Sequence, residues 1–93
     1  MLSRNMTAID TRNDAELRDR VRELLATTFV MDPSELPDDV SQQTCARWTS
    51  LYHMMLLMVL EEQFGVTFEM EEMTSMTSLP RIIAVLKEHG VNA

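Results

Sequence analysis

Few side chains in this sequence could do chemistry, and their spacing predicts no catalytic centre. The chain of 93 residues has one cysteine, Cys45, and only two histidines. Arg47 is the one base close to Cys45 in the sequence, which favours a small hydrophobic residue in a loop over a reactive thiol. Four nearby carboxylates lack the alternating order and central glycine of an EF-hand loop. They are Asp32, Glu35, Asp38 and Asp39. We therefore predict neither a metal site nor an independent enzyme.

Ser50 is the remaining candidate for chemistry. It begins a predicted helix directly after a long loop, where its hydroxyl would be accessible. A lone serine at the start of a helix is ordinarily a cap for the first backbone N–H groups. Position alone therefore leaves two interpretations, a cap and a modification site.

The charge of the chain excludes two classes of partner. Eight Lys and Arg face fifteen Asp and Glu, which gives a net charge of −7. Nucleic acids and anionic membranes both require a basic surface, so neither is an expected partner. The densest acidic patch is either a solvated surface or a docking surface for basic partners. It consists of Glu61, Glu62, Glu69, Glu71 and Glu72.

The same sequence gives expectations about location. The longest apolar run, Met54–Leu60, is too short to span a bilayer. The first residues lack the apolar centre of a signal peptide, and a single cysteine excludes an internal disulfide. We therefore expect a cytoplasmic monomer with no membrane insertion.

The first third of the chain is predicted to be a helix followed by a long loop. Apolar residues at helical spacing indicate a helix over 14–29. The loop over 30–48 has two prolines and no hydrophobic period, and we expect Leu36 and Val40 to pin it to the core. Loops of this length in a small domain are often functional.

The rest of the chain is predicted to be helical as well. A helix over 50–64 ends at Gly65, a short turn of helix follows, and a last helix covers 78–89. The predicted fold is therefore all-α: a small four-helix bundle of three main helices and one short helix, with the long loop between the first two. The expected divisions are a flexible N-terminal tail (1–12), a single domain (13–90) and a C-terminal tail (91–93).

The helix over 50–64 has two apolar faces, although a surface helix needs only one. At about 100° per residue, one face collects His53, Leu56, Leu57, Leu60 and Phe64. The roughly opposite face collects Leu51, Met54, Met55, Met58 and Glu62. Complete burial of a helix is difficult in so small a bundle, and flexible methionines suit an adaptable partner surface. Ordinary core filling by the methionines is the other interpretation.

Two short motifs bracket this helix. Residues 48–53 read Trp-Thr-Ser-Leu-Tyr-His, and residues 61–66 read Glu-Glu-Gln-Phe-Gly-Val. With the long first loop and the acidic balance, this spacing resembles the acyl carrier protein family, in which a helix begins at Asp-Ser-Leu and ends at Glu-Glu-x-Phe-Gly-(Ile/Val). A subset of that family reads Trp-Asp-Ser-Leu-x-His. The later Met-Thr-Ser-Leu over residues 76–79 looks like the start of the family's last helix, so the resemblance covers about residues 14–90.

The resemblance implies a discrete carrier in a specialised biosynthetic pathway. In that family a phosphopantetheinyl transferase attaches 4′-phosphopantetheine to the serine, here Ser50, and the thiol of the arm carries acyl or aminoacyl groups between loading and accepting enzymes. The free N–H groups and dipole of a helix N-terminus would also favour a phosphodiester there. Residues expected beside the arm are Trp48, Thr49, Leu51 and His53. Residues expected to meet partner enzymes are Leu51, Met54, Met55, Met58, Glu61 and Glu62.

Several residue roles stay open at this point. Thr49 stands where the family usually has Asp; it can cap the helix but adds no charge, which leaves open a dedicated transferase. Trp48 is a core anchor or a wall beside the arm. His53 is a satisfied, mostly buried histidine or a contact for the phosphate. The alternative function from a different class is a small helical interaction module with a Met-rich groove, no prosthetic group and Ser50 as a cap.

Overall fold

Four helices form the bundle in the part of the chain that the structure describes. The computed structural model describes the backbone of residues 2–91 and the side chains of residues 14–91. The helices are α1 (Leu2–Phe29), α2 (Ser50–Phe64), α3 (Met70–Ser75) and α4 (Leu79–Glu88). Over residues 2–91 there is no β-strand, and one isolated bridge pairs Ser41 with Ser78. The predicted all-α four-helix bundle is confirmed.

Helix α1 begins earlier than the sequence pattern predicted. The apolar residues at helical spacing from Leu17 onward predict a start near residue 14, yet the backbone is helical from Leu2. Extending an existing helix costs little once its first turn has formed, so a helix can continue beyond the residues whose spacing predicts it. The division into a tail over 1–12 and a domain over 13–90 stays a prediction.

The end of α1 is closed without a glycine. Val30 takes the left-handed conformation with φ 57°, and the N–H of Met31 donates to the carbonyl of Ala26 at 2.9 Å. This is the Schellman pattern, which usually places glycine at the left-handed position. The guanidinium of Arg47 donates to the carbonyl of Phe29 at 3.2 Å, so the loop also satisfies a terminal carbonyl of the helix.

The middle of the loop between α1 and α2 is fastened to α1 and to the start of α4. Leu36 and Val40 are each 3% exposed, which confirms that they pin the loop to the core. Arg22 of α1 donates to the carbonyl of Leu36 at 3.0 Å and pairs with Asp38. The N–H of Leu79 donates to the carbonyl of Val40 at 2.9 Å, so the loop also meets the start of α4.

The core lies where α1, α2 and α4 meet. Each helix contributes residues at helical spacing, as the periodicity predicts. The buried residues of these three helices are Leu17, Val21, Leu25, Ala26 and Phe29 of α1, Leu56, Leu57 and Leu60 of α2, and Leu79, Ile82, Val85 and Leu86 of α4. Ser78 caps α4 by accepting from the N–H of Arg81 at 3.2 Å. In the described part of the chain, no helix combines the length and hydrophobicity needed to cross a bilayer.

Candidate functional site

The candidate site is the junction at which the long loop becomes α2. The N–H of Trp48 donates to the carbonyl of Cys45 at 3.0 Å, and Thr49 follows in an extended conformation. The hydroxyl of Thr49 accepts from the N–H of Tyr52 at 3.2 Å, so Thr49 is the cap of α2. The first intrahelical bond runs from the N–H of His53 to the carbonyl of Thr49 at 2.8 Å.

Ser50 is therefore the first residue of the helix and not its cap. The capping interpretation of Ser50 is wrong, because Thr49 already performs that role. Ser50 is exposed, and among the described residues its hydroxyl makes no hydrogen bond. The N–H groups of Ser50 and Leu51 precede the first turn's bonds and have no acceptor within the helix. An anionic group joined to this hydroxyl would lie beside those N–H groups and the positive end of the helix dipole.

Trp48 anchors the junction in the core. It is 2% exposed, and its ring lies 5.3 Å from the ring of Phe29 between centroids. Tyr52 contacts the same phenylalanine edge-on, at 6.1 Å. The core-anchor interpretation is confirmed, whereas contact between Trp48 and an arm on Ser50 stays a prediction.

Both ring nitrogens of His53 have partners. The indole N–H of Trp48 lies 3.0 Å from His53 Nδ1, and His53 Nε2 lies 2.9 Å from the backbone oxygen of Met73. An indole can only donate and a carbonyl can only accept, so Nδ1 must accept and the proton must reside on Nε2. This neutral tautomer is half-buried and fully satisfied, as expected for a core-facing histidine. A direct contact with a phosphate stays a prediction, and it would have to break one of these bonds.

The second apolar face of α2 is exposed, as predicted. The exposed fractions are 69% for Leu51, 53% for Met54, 43% for Met55 and 67% for Met58. Farther along the helix a shallow groove of about 300 Å³ is lined by Met55, Met58, Val59 and Glu62. The interpretation of these methionines as core filler is therefore wrong. The face starts at Leu51, directly after Ser50, and continues toward the C-terminal end of α2.

The acidic patch divides into free and engaged carboxylates. Glu62 is exposed at the rim of the methionine groove. Glu61 is half-buried, and its carboxylate accepts from the N–H of Phe68 at 2.9 Å. It therefore fastens the segment between α2 and α3. Of the two glutamates expected to meet partners, only Glu62 has a carboxylate free of such a bond among the described residues.

Glu72 is also used within the fold. Its carboxylate accepts from the N–H of Glu69 at 2.8 Å and lies 3.0 Å from His89 Nε2. These bonds, the amide first and His89 second, lower the pKa of the Glu72 carboxyl below its usual value. The pair joins α3 to the end of α4, and the ring of Phe68 packs edge-on against His89 at 5.5 Å.

Two further predictions concern the loop. Cys45 is 7% exposed, and its Sγ lies 3.9 Å from Met31 Sδ. This burial confirms that Cys45 is a small hydrophobic residue of the loop. Among the described residues, no three of His, Cys, Asp and Glu gather in an arrangement that could hold a metal ion.

Sequence reasoning missed the link from Trp48 through His53 to Met73. A signal was present, since Trp48 directly precedes the cap and His53 is the fourth residue after it. These are the two positions of a hydrophobic staple, whose side chains meet across the first turn of a helix. Neither position indicated that a hydrogen bond would join the two rings, or that His53 would also bond to a backbone carbonyl of α3.

No model of a known protein family matches this sequence, and a comparison with curated proteins likewise finds no match. The resemblance to carrier proteins therefore depends on the sequence motifs in and around α2 alone.

Proposed function

We propose that this protein is a discrete carrier that holds 4′-phosphopantetheine on Ser50. The observation that carries the proposal is that Ser50 is exposed at the start of α2 and does not cap the helix, because Thr49 is the cap. A modifying enzyme can reach that hydroxyl without breaking the cap. The two N–H groups of the first turn without helical acceptors fit the phosphodiester that the reaction would leave.

The loading step would be a phosphoryl transfer. The Ser50 oxygen forms a bond to the phosphorus nearest the pantetheine in coenzyme A, the bond to adenosine 3′,5′-bisphosphate breaks, and the transferase accepts the hydroxyl proton. When bound, the arm supplies a terminal thiol that carries acyl or aminoacyl groups as thioesters. In this proposal the chain performs no catalysis itself. Its own contribution is to present the hydroxyl and to bind the enzymes that use the arm.

The exposed face of α2 is the proposed contact surface for those enzymes. It starts beside Ser50, so an enzyme seated on it would have the arm within reach. Its flexible methionines can fit several partners, and the rim carboxylate of Glu62 can steer basic surfaces. The proposed partners are a phosphopantetheinyl transferase and the loading and accepting enzymes of one pathway, acting on a cytoplasmic monomer.

Mass spectrometry after incubation with coenzyme A and a broad-specificity transferase tests the proposal. We expect one phosphopantetheinyl increment on the parent protein and none on Ser50→Ala. Ser34→Ala removes another exposed serine of the preceding loop, and it should still gain the increment. Because Thr49 replaces the usual Asp, Thr49→Asp is loaded in parallel. Absence of the increment from both the parent and Thr49→Asp would contradict the proposal.

A helical interaction module is the second candidate, and the exposed methionine groove is the observation that favours it. It requires no modification of Ser50. An unmodified parent that binds partners as well as Ser50→Ala does would support the module over the carrier.

A further inference from the structure

We infer that His53 is a positioning residue, which acts through Trp48 to set the Ser50 junction and through Met73 to tie α3 to that junction. Its effect on loading rests on the proposed function, whereas its effect on the geometry of the junction does not. The observation behind the inference is the pair of hydrogen bonds that the two ring nitrogens of His53 make.

The first bond, between Trp48 and His53, joins side chains on either side of Ser50 in the sequence. Trp48 lies two residues before Ser50 and His53 three residues after it, and their side chains meet at 3.0 Å between Trp48 Nε1 and His53 Nδ1. The side-chain cap from Thr49 to Tyr52 lies between them. A staple between these positions fixes the angle at which a chain enters its helix. Here the staple is directional, because a hydrogen bond specifies the orientation of both rings.

The buried indole gives this bond its importance. Trp48 is 2% exposed, so its N–H has little access to water if His53 turns away. A buried donor that loses its acceptor is costly, and the chain would move to satisfy it. The movement would fall on residues 48–50, the segment that carries the Ser50 hydroxyl. His53 therefore acts on Ser50 through Trp48.

The second bond reaches α3. Met73 lies in the last turn of α3, and its carbonyl accepts from the N–H of the cap residue Met76 at 3.4 Å and from the ring Nε2–H of His53 at 2.9 Å. A helix of six residues is not stable in isolation, so its position depends on such tertiary contacts. The pair of Glu72 and His89 fixes α3 to the end of α4, and His53 fixes it to the start of α2. A displacement of α3 is therefore transmitted to the Ser50 junction.

Three substitutions at His53 separate the two bonds. His53→Phe keeps a ring and removes both bonds. His53→Asn offers an acceptor to Trp48 but is too short to reach Met73. His53→Gln presents an acceptor and a donor at a spacing similar to that of the two ring nitrogens, so it should restore both. Val85→Ala truncates a buried residue of α4 and is the control for lost stability without a change at the junction.

Hydrogen exchange followed by NMR tests the geometry without any reference to loading. Trp48 is the single tryptophan, so its indole N–H gives one resolved signal. We expect that signal and the two hydrogen-bonded amides of the junction, those of Thr49 and Tyr52, to exchange faster in His53→Phe, and to exchange at the parent rate in His53→Asn and His53→Gln. The amides of α3 should exchange faster in both the Phe and the Asn variants. Parent-like indole exchange in His53→Phe would overturn the inference.

Steady-state loading by the transferase tests the consequence for Ser50. We expect kcat to fall about tenfold in His53→Phe with KM nearly unchanged, because the hydroxyl is misplaced while the face of α2 is intact. His53→Gln should recover most of the rate, and Val85→Ala should load as the parent does. Parent-like kcat in His53→Phe, or an equal loss in Val85→Ala, would overturn the positioning role.

Two remaining outcomes are also decisive. If His53→Phe does not fold, the comparison of Asn with Gln decides whether α3 is coupled through Met73. If neither the parent nor Thr49→Asp gains phosphopantetheine, the proposed function fails, while the exchange measurements still accept or reject the link from Trp48 to Met73.

Discussion

Replacing Met58 by alanine should barely change the stability of the protein, whereas the same replacement at Leu60 should remove a large part of it. The two residues are two positions apart on α2, and they face opposite environments. Met58 is 67% exposed and Leu60 is 0% exposed. The comparison therefore tests the assignment of the methionine face as a free surface within one helix.

The expected magnitudes follow from burial. Complete burial of a methionine is worth about 1.5–3 kcal/mol, and about a third of Met58 is buried, which gives roughly 0.5–1 kcal/mol. Alanine recovers a few tenths of a kcal/mol through its helix propensity. The net cost at Met58 is therefore about 0.5 kcal/mol. Leucine-to-alanine changes in a closed core cost about 2–5 kcal/mol, because the cost of the cavity left behind adds to the lost transfer free energy.

Urea denaturation with a shared m-value gives the free energies of unfolding directly. For a domain of this size, a change of 1 kcal/mol shifts Tm by about 4–8 °C. Leu60→Ala should therefore lower Tm by more than about 10 °C, and Met58→Ala by less than about 4 °C. Met58→Ala should also raise the KM for loading while leaving kcat unchanged. Similar stability losses in the two variants would refute the assignment of this face to the surface.

Four further predictions concern separate features. Thr49→Asp should speed loading of Ser50 a few-fold with Tm nearly unchanged, since both residues cap a helix and an exposed charge pair is worth about 0.2–1 kcal/mol. Val30→Gly should raise the free energy of unfolding by about 0.5–1 kcal/mol. The steric strain of a β-branched side chain in the left-handed conformation exceeds the extra conformational entropy that glycine loses on folding. Glu72→Gln should lose less stability on acidification than the parent does. In the parent, hydrogen bonds to the carboxylate lower the pKa of Glu72 in the folded state. They stabilise the fold above the unfolded-state pKa of about 4.3, and this stabilisation is lost as pH falls through the folded-state pKa. Glu62→Lys should slow association with a basic partner enzyme more at low salt than at high salt.

Each of these has a matched control or a contradicting result. Equal loading rates for the parent and Thr49→Asp would show that the carboxylate is dispensable. Val30→Ala keeps the strained Cβ and should gain less than Val30→Gly does. Glu71→Gln removes an exposed neighbour of Glu72 and should leave the acid dependence unchanged. A salt-independent effect of Glu62→Lys would contradict electrostatic steering.

The sequence by itself determined the elements and most of the core. Helical spacing separates Leu57 and Leu60 from Met55 and Met58 on roughly opposite faces of α2, because side-chain direction along a helix is a local consequence of its period. Burial in the structure shows that the methionine face is the exposed one. Gly65 at the end of α2 could be predicted for the same reason: only a local backbone preference is involved. The loop could be recognised from its prolines, and its two pinning residues from their isolated hydrophobicity.

The tertiary structure decided how side chains far apart in sequence are paired. Glu61 is acidic and lies near the exposed end of α2, yet it binds the backbone of Phe68. His53 follows the apolar stripe, yet its two partners come from the loop and from the last turn of α3. Periodicity fixes the direction of a side chain but not the atom it meets, since that atom is set by how separate helices pack against one another.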